Sequence, residues 1–508
     1  MIEKNGEGVL GFITNHGYLD NPTFLDMRNH LRKTFDRIYV LDLHGNAKKK
    51  EVSPDGSPDK NVFDIQQGVA VIIAVKRKES AKKTKPLAEV RHGDLWGARE
   101  NKYASLWAGT QASLMCIDAT PQESPWRFIP SGGKLEETYL AGFAVSQLCN
   151  QLGKPTPGFA TQHDDFAISW NAANAVEKVE KFLSAATEDD ARQLFHLCAQ
   201  DQWRYHRAMQ ELATGEWREE MTPVCYRPFD RRWTVFNRNV AVHRRERVSR
   251  HLFRTPNFAF CLSGNSGAIG SPAFDAVGIA DCVTELNFFR RGGAYIFPIY
   301  LYPIDQDFDQ SIRLNFDPKL YTKIREAAGL TGPSPAPDGT DAFRRASGDA
   351  RPHEVQVFDY IYGVLHCPAY RETYAEFLKI DFPRVPFPHS PESFRAISEQ
   401  GEALRRLHLM EPAAIGDTPF PFEGEGDSVV DKPRHEAGKV WVNKDQGFAR
   451  VSATAWNFHI GGYQPAQKWL KDRKGRALSW DDVRHYQRII KILDETHRIM
   501  QLIEVPLD

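Results

Sequence analysis

At 508 residues the chain is longer than one hydrophobic core normally organises, so two or three domains are expected. Hydrophobic residues make up 41% and charged residues 26%, which is typical of a soluble globular protein and excludes a largely disordered or membrane-embedded one. The formal charge of -1 at pH 7 excludes a uniformly basic nucleic-acid coat, although it leaves local basic patches open.

The cysteines and the first residues indicate the compartment. The 7 cysteines are scattered and never form a C-x-x-C pair, which favours free thiols in a reducing cytoplasm and argues against a zinc site or a disulfide framework. The N-terminal residues lack the basic cluster and the apolar core of a signal peptide. The apolar run GVAVIIAV (68–75) has the length of a buried strand. We therefore expect a cytoplasmic protein with no membrane segment and no bound metal.

The first elements in chain order predict an α/β sheet. VLGFITN (9–15) reads as a strand, residues 22–35 as a helix that starts at a proline, and RIYVLDLHG (37–45) as a second strand. A polar, charged stretch at 46–61 predicts a surface loop, and 62–77 is a third strand. Because no crossover helix separates the second and third strands, they are expected to pair antiparallel. The pattern predicts a parallel sheet that ends in an antiparallel edge.

The rest of the chain predicts a mixed α+β region. Lysines and arginines crowd 76–91, which suggests an exposed connector, and from about residue 92 short strand-like pieces alternate with helices. The fold class is therefore α/β, with a partial Rossmann-like sheet followed by a mixed α+β region and a helical tail. The predicted helices after the connector are 173–186, 189–213, one around 355–365, one around 369–378, and the tail at 479–504. The predicted domains are 1–78, a bridge at 79–160, and 161–508 with a flexible insertion at 331–352.

The densest charged feature is the segment CYRPFDRRWTVFNRNVAVHRRERVSRHLFR (225–254). It has nine arginines, no lysine and two acids, and aromatic residues are interleaved with the arginines. Arginine without lysine suggests the planar fork that binds phosphates and guanine edges. The alternatives are a solvated basic face or a set of internal ion pairs. The candidate DNA-binding residues in this segment are Arg227, Arg231, Arg232, Trp233, Arg244, Arg245, Arg247 and Arg250.

A second basic cluster lies in GGYQPAQKWLKDRKGR (461–476), where cations surround Trp469. Its candidate DNA-binding residues are Lys468, Lys471 and Arg473. The alternative is the end of an ordinary amphipathic helix. Two basic clusters about 200 residues apart favour a long polyanionic partner more than either cluster does alone.

Other chemistry is sparse. The histidines show no H-E-x-x-H or metal-ligand spacing, and no G-x-S-x-G, P-loop or G-x-G-x-x-G motif occurs. IPSGGK (129–134) resembles a phosphate loop only superficially. A hydrolase with an unrecognised site is disfavoured because no nucleophile–base pair is visible.

In order, these segments resemble the gamma-class adenine-N6 DNA methyltransferases, and most closely the C-terminal part of the type ISP restriction-modification enzymes. GVLGFITNHGYLDNPTFLDMR resembles the strand and helix that follow the family's catalytic Asn-Pro-Pro-Tyr motif, and NVFDIQQGVAVIIAVKR resembles a last sheet strand. CYRPFDRRW, GGAYIFPIYLYP, IYGVLHCPAYRETYAEFLKIDFPRVPFP and FHIGGYQPAQKWLKDRKGRALSWDDVRHYQRI resemble its target-recognition region. The resemblance covers nearly the whole chain.

The resemblance implies double-stranded DNA as the partner and S-adenosyl-L-methionine as the methyl donor of the complete enzyme. It also implies that Phe63, in NVFDIQQG, stacks on the adenine that is rotated out of the duplex. The alternative for Phe63 is simple core filling. Thr14, Asn15 and His16 would lie near the rim of the pocket.

The chain departs from the family pattern in one respect. Neither Asn-Pro-Pro-Tyr nor Asp-Pro-Pro-Tyr occurs in the 508 residues, and there is no glycine-rich turn for the methyl donor. We therefore expect the chain alone neither to bind S-adenosyl-L-methionine nor to methylate DNA, and a separate chain could carry the methyltransferase half with the nuclease and helicase. The alternative is a non-catalytic DNA-binding accessory protein of a phage-defence system.

Overall fold

A computed structural model describes residues 2–21, 24–47, 51–78, 87–121, 126–130, 134–199, 203–264, 274–290, 292–334 and 339–507. The chain forms two compact units, Met1–Thr138 and Tyr139–Asp508. The sequence placed domain boundaries at 78 and 160, whereas the sheet of the first unit continues past residue 78 with two more strands. Residues 79–86 of the predicted connector lie outside the described residues. No helix among the described residues is long and apolar enough to cross a bilayer.

The N-terminal unit is a five-stranded sheet with helices along the connections. Its elements are α1 (Ile2–Asn5), β1 (Gly8–Asn15), α2 (Leu25–Thr34), β2 (Arg37–Asp42), β3 (Val69–Lys76), β4 (Glu89–Asp94), α3 (Arg99–Ala108), α4 (Gln111–Leu114) and β5 (Ile117–Asp118).

The strand order in this sheet is β1-β3-β2-β4-β5. The predicted antiparallel pairing of the second and third strands is confirmed, with Arg37 opposite Val75. β3 also pairs antiparallel with β1, and β2 pairs parallel with β4. The antiparallel strand was expected at the edge of the sheet, but β3 lies between β1 and β2. The strand at Glu89–Asp94, which the sequence did not predict, extends the sheet on the other side of β2.

β1 forms one edge of this sheet. Among the described residues it pairs only with β3, so its other edge carries backbone groups without a strand partner. Three large apolar side chains of β1 are exposed, namely Val9 at 64%, Phe12 at 58% and Ile13 at 47%. An edge strand with apolar side chains on the surface is a ready template for pairing with another strand.

The stretch at 46–61, predicted to be a surface loop, is partly buried. Asp59 forms an ion pair of 2.7 Å with Lys102, and both side chains are fully buried. Asn61 is also buried, and its side-chain amide donates to the carbonyls of Gly45 and Gln67. The charged residues of this stretch therefore have partners inside the unit, which a pattern of polar residues does not reveal. Residues 48–50 lie outside the described residues.

The C-terminal part of the chain combines many helices with small sheets. The helices are α5 (Lys134–Ala141), α6 (Val145–Leu148), α7 (Asp164–Ala167), α8 (Ala172–Leu183), α9 (Glu188–Phe195), α10 (Tyr205–Ala213), α11 (Glu246–Ser249), α12 (Pro318–Ala327), α13 (Ala342–Arg345), α14 (His353–His366), α15 (Pro368–Thr373), α16 (Ala375–Leu378), α17 (Pro391–His408), α18 (Pro412–Ile415), α19 (Ala453–Asn457), α20 (Pro465–Lys471) and α21 (Trp480–Met500). The predicted helical tail is α21, which begins at a capping box formed by Ser479 and Asp482.

Short strands build the sheets of this part. They are β6 (Phe143–Ala144), β7 (Met221–Arg227), β8 (Asp230–Val235), β9 (Ala259–Leu262), β10 (Val277–Ala280), β11 (Val283–Thr284), β12 (Tyr295–Pro298), β13 (Tyr300–Leu301), β14 (Arg313–Leu314), β15 (Arg384–Val385), β16 (Phe422–Glu423), β17 (Arg434–Glu436), β18 (Lys439–Trp441) and β19 (Gly447–Phe448). The larger sheets have the orders β10-β9-β12, β11-β7-β8 and β16-β19-β18-β17. An α/β sheet followed by mixed helices and sheets is thus confirmed as the fold class.

The centre of the C-terminal unit is the close packing of α14 against α17. A Cβ atom on Gly401 would overlap the carbonyl oxygen of Asp359, so glycine is required for this approach of the two helices. The buried Asp359 carboxylate accepts from Arg405 at 2.6 Å and from Arg351 at 2.7 Å. Apolar residues of both helices, such as Phe358, belong to the main core.

Three predicted segments of this unit differ from the structure. The helix predicted around 369–378 is two short helices, α15 and α16. The helix predicted at 189–213 is two helices, α9 and α10, and His196 after α9 has a positive φ of 46° that ends the first helix. Residues 335–338 of the predicted insertion lie outside the described residues. The described remainder of the insertion differs from a flexible loop, because Arg351 is buried in the ion pair with Asp359.

Candidate nucleic-acid interface

The first basic segment begins with the hairpin of β7 and β8. Pro228 and Phe229 make its turn, and Phe229 has a positive φ of 61°. Successive residues of a strand point to opposite faces, so the adjacent arginines of β8 separate. Arg231 pairs with Asp281 at 2.5 Å on one face. Arg232 lies on the other face.

Asp230, at the start of β8, joins the first basic segment to the second. Its buried carboxylate accepts from Arg232 at 2.9 Å and from Arg473 at 2.9 Å. Burial alone would raise the pKa of Asp230, but the guanidiniums of Arg473 and Arg232 bring it below its usual range. Two segments about 240 residues apart in the chain are therefore held together by one buried carboxylate.

Aromatic rings hold Arg232 in place. Its guanidinium carbon lies 4.1 Å from the ring centre of Trp170 and 4.1 Å from that of Tyr226. Arg473 contacts Trp170 as well, at 4.7 Å, and packs on Trp469 at 3.5 Å. Guanidinium groups held between aromatic faces lose little further rotamer freedom when they bind a ligand.

A polar pocket of about 310 Å³ opens where the two basic segments meet. It takes residues from β7 and β8, from the turn after β11, and from the segment around α20. The lining residues are Tyr226, Arg227, Arg232, Arg290, Tyr463, Lys468 and Asp472. This pocket brings together three of the predicted DNA-binding residues, Arg227, Arg232 and Lys468, from both clusters.

The pocket has more positive than negative charge. Arg227 pairs with Glu285 at 2.6 Å, and Arg232 pairs with Asp230, so these two cations are compensated. Among the described residues, no carboxylate lies within ion-pair distance of Arg290, Lys468 or Lys471. Burial, and then the nearby Arg290 and Lys471, lower the pKa of Lys468. Crowded like charges of this kind would be relieved by a bound anion.

The remaining predicted residues lie elsewhere. Arg473 is buried in its contacts with Asp230 and Trp469, so it holds the two segments together and does not reach the surface. Trp233 exchanges backbone hydrogen bonds with Ser169. Lys471 is exposed at the end of α20, next to the pocket. The alternative of internal ion pairs is thus correct for part of the first cluster and does not describe all of it.

The arginines at 244–250 form a second basic group outside the pocket. Arg244 pairs with Glu246 at 3.0 Å. Arg247 is exposed and donates to the carbonyl of Lys154 and to the hydroxyl of Thr156. In the part of the chain that the structure describes, no ion pair with a carboxylate involves Arg245, Arg247 or Arg250. These residues stay predicted DNA contacts.

In the N-terminal unit, Phe63 is presented by a rigid turn. Its side chain is 41% exposed, which does not fit simple core filling. The four carbonyls of residues 60–63 all accept hydrogen bonds from side chains of α3. Lys102 donates to the first, Arg99 to the second and fourth, and Tyr103 to the third. These hydrogen bonds fix the backbone that carries the partly exposed ring, and its role in base stacking stays a prediction.

Sequence reasoning missed several residues of the pocket. Tyr226 and Tyr463 lie inside the two basic segments and could have been found by asking which aromatic neighbours an arginine would stack on. Arg290 lies in FFRRGG, a basic pair between aromatics and glycines. The pocket residue Asp472, and Trp170, which stacks on Arg232 outside the lining, give no signal in the sequence, because their positions depend on the packing of distant segments.

Comparison with known proteins relates this chain to a known family. A family model described as the Type ISP C-terminal specificity domain matches residues 154–502. No curated protein sequence matches the chain significantly.

Three solved structures resemble this chain at 18% identity, which shows the fold. The ATP-dependent Type ISP restriction-modification enzyme LlaBIII bound to DNA has a TM-score of 0.59, with 98% of this chain and 33% of that chain covered. The DrdV–DNA complex, determined by cryoEM, has a TM-score of 0.61, with 99% and 51% covered. A nuclease-deletion mutant of the Type ISP restriction-modification enzyme LlaGI, in complex with a DNA substrate mimic, has a TM-score of 0.56, with 99% and 39% covered. This chain therefore spans between a third and about half of the length of these structures.

Proposed function

This chain belongs to the family of Type ISP C-terminal specificity domains, and from that membership we propose that it recognises double-stranded DNA as the target-recognition part of a restriction-modification enzyme. The observation that carries the proposal is the pocket between the two basic segments, where Arg290 and Lys468 lie without a carboxylate partner among the described residues. The solved structures with this fold, named above, are complexes with DNA, and this supports the same partner here.

The charges of the pocket suit a phosphodiester backbone. Arg290, Lys468 and Lys471 form a group of like charges whose mutual repulsion a phosphate would relieve. Arg227 and Arg232 are fixed by stacking and by ion pairs, so they present their remaining N–H groups in a defined direction. Phosphate contacts of this kind set the register of a protein on the duplex, and base-edge contacts then read the sequence.

Replacing Arg290 and Lys468 together by alanine tests the proposal. We expect weaker binding to target and random duplexes in the same proportion, because phosphate contacts carry no sequence information. The slope of log K against log salt is expected to fall by about 2, since each lost phosphate contact removes about 0.9. Fluorescence anisotropy of labelled duplex at several salt concentrations measures both quantities.

A matched control removes two positive charges elsewhere. Lys444 and Arg484 have exposed side chains and do not line the pocket, so their double alanine variant is expected to keep most of the salt slope. The proposal fails if both double variants reduce affinity and slope equally. It also fails if the unmodified chain shows a slope near zero.

The second part of the proposal concerns methyl transfer by the complete enzyme. In the complete enzyme, S-adenosyl-L-methionine supplies the methyl group for adenine N6, and Phe63 stacks on the target base. The exposure of Phe63 on its rigid turn supports this assignment. The amine-polarising Asn-Pro-Pro-Tyr motif does not occur in these residues, so another polypeptide region supplies it.

The polypeptide region that supplies the Asn-Pro-Pro-Tyr motif would pair with the edge of β1 that has no strand partner among the described residues. Exposed Val9, Phe12 and Ile13 would be covered by it, and the open backbone groups would complete a wider sheet. We expect the chain alone to transfer no methyl group to duplex DNA in a single-turnover assay with labelled S-adenosyl-L-methionine. Methylation by the chain alone would show that neither the Asn-Pro-Pro-Tyr motif nor a pairing region is required, and it would refute this part of the proposal.

A further inference from the structure

A compact group of histidines and carboxylates lies in the N-terminal unit, apart from the pocket described above. His16 directly follows β1, while Asp42 ends β2 and His44 lies two residues further on. β1 and β2 both run opposite to β3, so their carboxyl ends meet at one edge of the sheet. All three side chains are buried, with exposures of 7%, 6% and 8% in chain order. The resemblance described above implies a place near the rim of the pocket for His16 alone, and the DNA-recognition proposal does not use the group.

We propose that His16, Asp42 and His44 form a binding site for one divalent transition-metal ion of the Zn²⁺ class. The His16 Nδ1 atom lies 3.1 Å from Asp42 Oδ1, and the His44 Nδ1 atom lies 3.7 Å from Asp42 Oδ2. One ligand atom from each residue can be chosen so that all lie within 4.8 Å of one another. Two ligands at about 2.1 Å from a tetrahedral ion are roughly 3.4 Å apart, so small side-chain shifts are enough to coordinate it.

The surroundings of His44 are those of a metal ligand. A metal-bound histidine nearly always donates its other ring N–H to a polar partner, which fixes the tautomer. His44 Nε2 lies 2.8 Å from Asp94 Oδ1, which leaves Nδ1 as a lone pair directed toward Asp42. His16 Nε2 accepts at 3.2 Å from the amide nitrogen of Asn46 and lies 4.0 Å from Glu51, so the ring proton is on Nδ1 and is donated to Asp42. A metal ion that binds Nδ1 would displace this proton. Each ring therefore has its outer nitrogen engaged and its inner nitrogen facing the same carboxylate.

Packing holds both rings in these orientations. The His44 ring stacks on Trp96 with centroids 3.3 Å apart. A Cβ atom on Gly68 would overlap the His16 ring, so glycine makes room for it. Fixed rings reduce the entropy that a metal ion must overcome when it binds.

A fourth group points to an additional ligand at this place. The hydroxyl of Tyr18 is buried and has no hydrogen-bond partner among the described residues. Tyr18 lies two residues after His16, in the 3-10 helix His16–Leu19. A buried hydroxyl without a partner costs about 1–3 kcal/mol, and a metal-bound water would satisfy it.

Two imidazoles and one carboxylate select among metals. Imidazole nitrogen suits Zn²⁺, Co²⁺ and Ni²⁺, whereas Mg²⁺ and Ca²⁺ prefer sites made of oxygen. The bound ion would connect the ends of β1 and β2. It would also stabilise the segment after His44, where the Gly45 carbonyl accepts from Asn61 below the Phe63 turn. This role does not depend on DNA binding.

The experiment uses the full chain after removal of metals with a chelator. Calorimetric titration with Zn²⁺ is expected to show one ion per chain with a Kd in the micromolar range or tighter. Titration with Co²⁺ is expected to give the visible absorption of a low-coordinate site, and X-ray absorption of the Zn²⁺ form is expected to show two imidazole ligands and no sulfur. Failure to bind one equivalent of either ion, or sulfur in the ligand shell, would overturn the proposal.

Variants locate the site. His16→Gln and His44→Gln are each expected to weaken Zn²⁺ binding by about 100-fold, whereas His206→Gln, an exposed histidine in the other unit, leaves it unchanged. Circular dichroism checks that each variant is folded, and the ligand assignment from X-ray absorption needs no variant. Undiminished binding in the folded His16→Gln/His44→Gln double variant would place the ion elsewhere and refute the proposal.

Discussion

Lowering the pH from 7 to 5 is expected to reduce the free energy of unfolding of the C-terminal unit by about 2 kcal/mol for each of three histidines, of which two are buried and one is half-buried. Burial lowers the pKa of His163 to about 4, that of His251 to about 4 and that of His408 to about 3. In the unfolded chain the same groups titrate near the ordinary value of about 6.5. The unfolded state therefore binds more protons between these values, and stability that is full above about pH 6.5 is lost as the pH falls.

Burial is the largest cause of each lowered pKa, and the hydrogen bonds of His408 and His251 are those of a neutral ring. His408 Nε2 lies 2.8 Å from the hydroxyl oxygen of Thr496, which itself donates to a backbone carbonyl and so accepts from the ring. Its Nδ1 is 2.6 Å from the Tyr362 hydroxyl and can only accept from it. In the same way, one ring nitrogen of His251 accepts from the backbone N–H of Tyr302. Protonation would remove these acceptors inside the core.

His408→Gln isolates one of these contributions. Glutamine can still donate to Thr496 and accept from Tyr362, but it does not titrate. We expect the loss of unfolding free energy between pH 7 and pH 5 to be about 2 kcal/mol smaller in this variant. Urea titrations at several pH values, followed by tryptophan fluorescence, measure the difference. His206→Gln, at an exposed position, is the control and should keep the full pH dependence. Equal pH dependence in His408→Gln and the unmodified chain would show that His408 is not the neutral group described here.

Asp230→Ala is expected to destabilise the C-terminal unit by about 3–5 kcal/mol and to abolish tight DNA binding. The carboxylate is fully buried and neutralises both Arg232 and Arg473, so its removal leaves two guanidiniums without their shared partner. It also removes the link that holds the segment of Lys468 against the β7–β8 hairpin. Stability and DNA affinity are therefore expected to fall together.

A neighbouring aspartate provides the control. Asp472 lines the same pocket but lies 3.8 Å from Arg232, and burial raises its pKa. Asp472→Ala is expected to leave stability within about 1 kcal/mol and to strengthen DNA binding, because a carboxylate that faces phosphates is removed. Thermal unfolding and anisotropy of labelled duplex, measured on both variants, check these opposite effects. If Asp230→Ala left the DNA affinity unchanged, the pocket would take no part in DNA recognition and the proposal would fail.

Local patterns were enough to predict most of the long elements. The strand predicted at 62–77 is confirmed in its second half as β3, whereas residues 62–68 form no strand and include the turn that carries Phe63. The missing crossover helix predicted the antiparallel pairing of β3, and the helical tail predicted at 479–504 is α21. These features depend on residues close together in the chain. The position of β3 between β1 and β2 depends on which strand edges meet, and neighbouring residues carry no information on that.

For the candidate DNA-binding surface, too, the sequence predicted some features and only the tertiary structure showed the others. Residue types alone indicated two basic segments, the order of the motifs indicated the family, and the resemblance to that family singled out Phe63. Charge counts could not separate cations that face a ligand from cations that face an acid inside the protein. Arg231 and Arg473 are paired, while Arg290 is a pocket residue that no cluster contained.

The sequence by itself determined the class of fold and the two basic segments, because these follow from residue types and spacing, and it indicated the family through the resemblance of its ordered motifs. Only the tertiary structure decided which cations share the pocket, that Asp230 joins the segments, and that His16, Asp42 and His44 meet. Those contacts join residues that are 26 to 243 positions apart, at the ends of strands and helices. Their formation depends on strand order and on the packing of distant elements, so no local pattern specifies them.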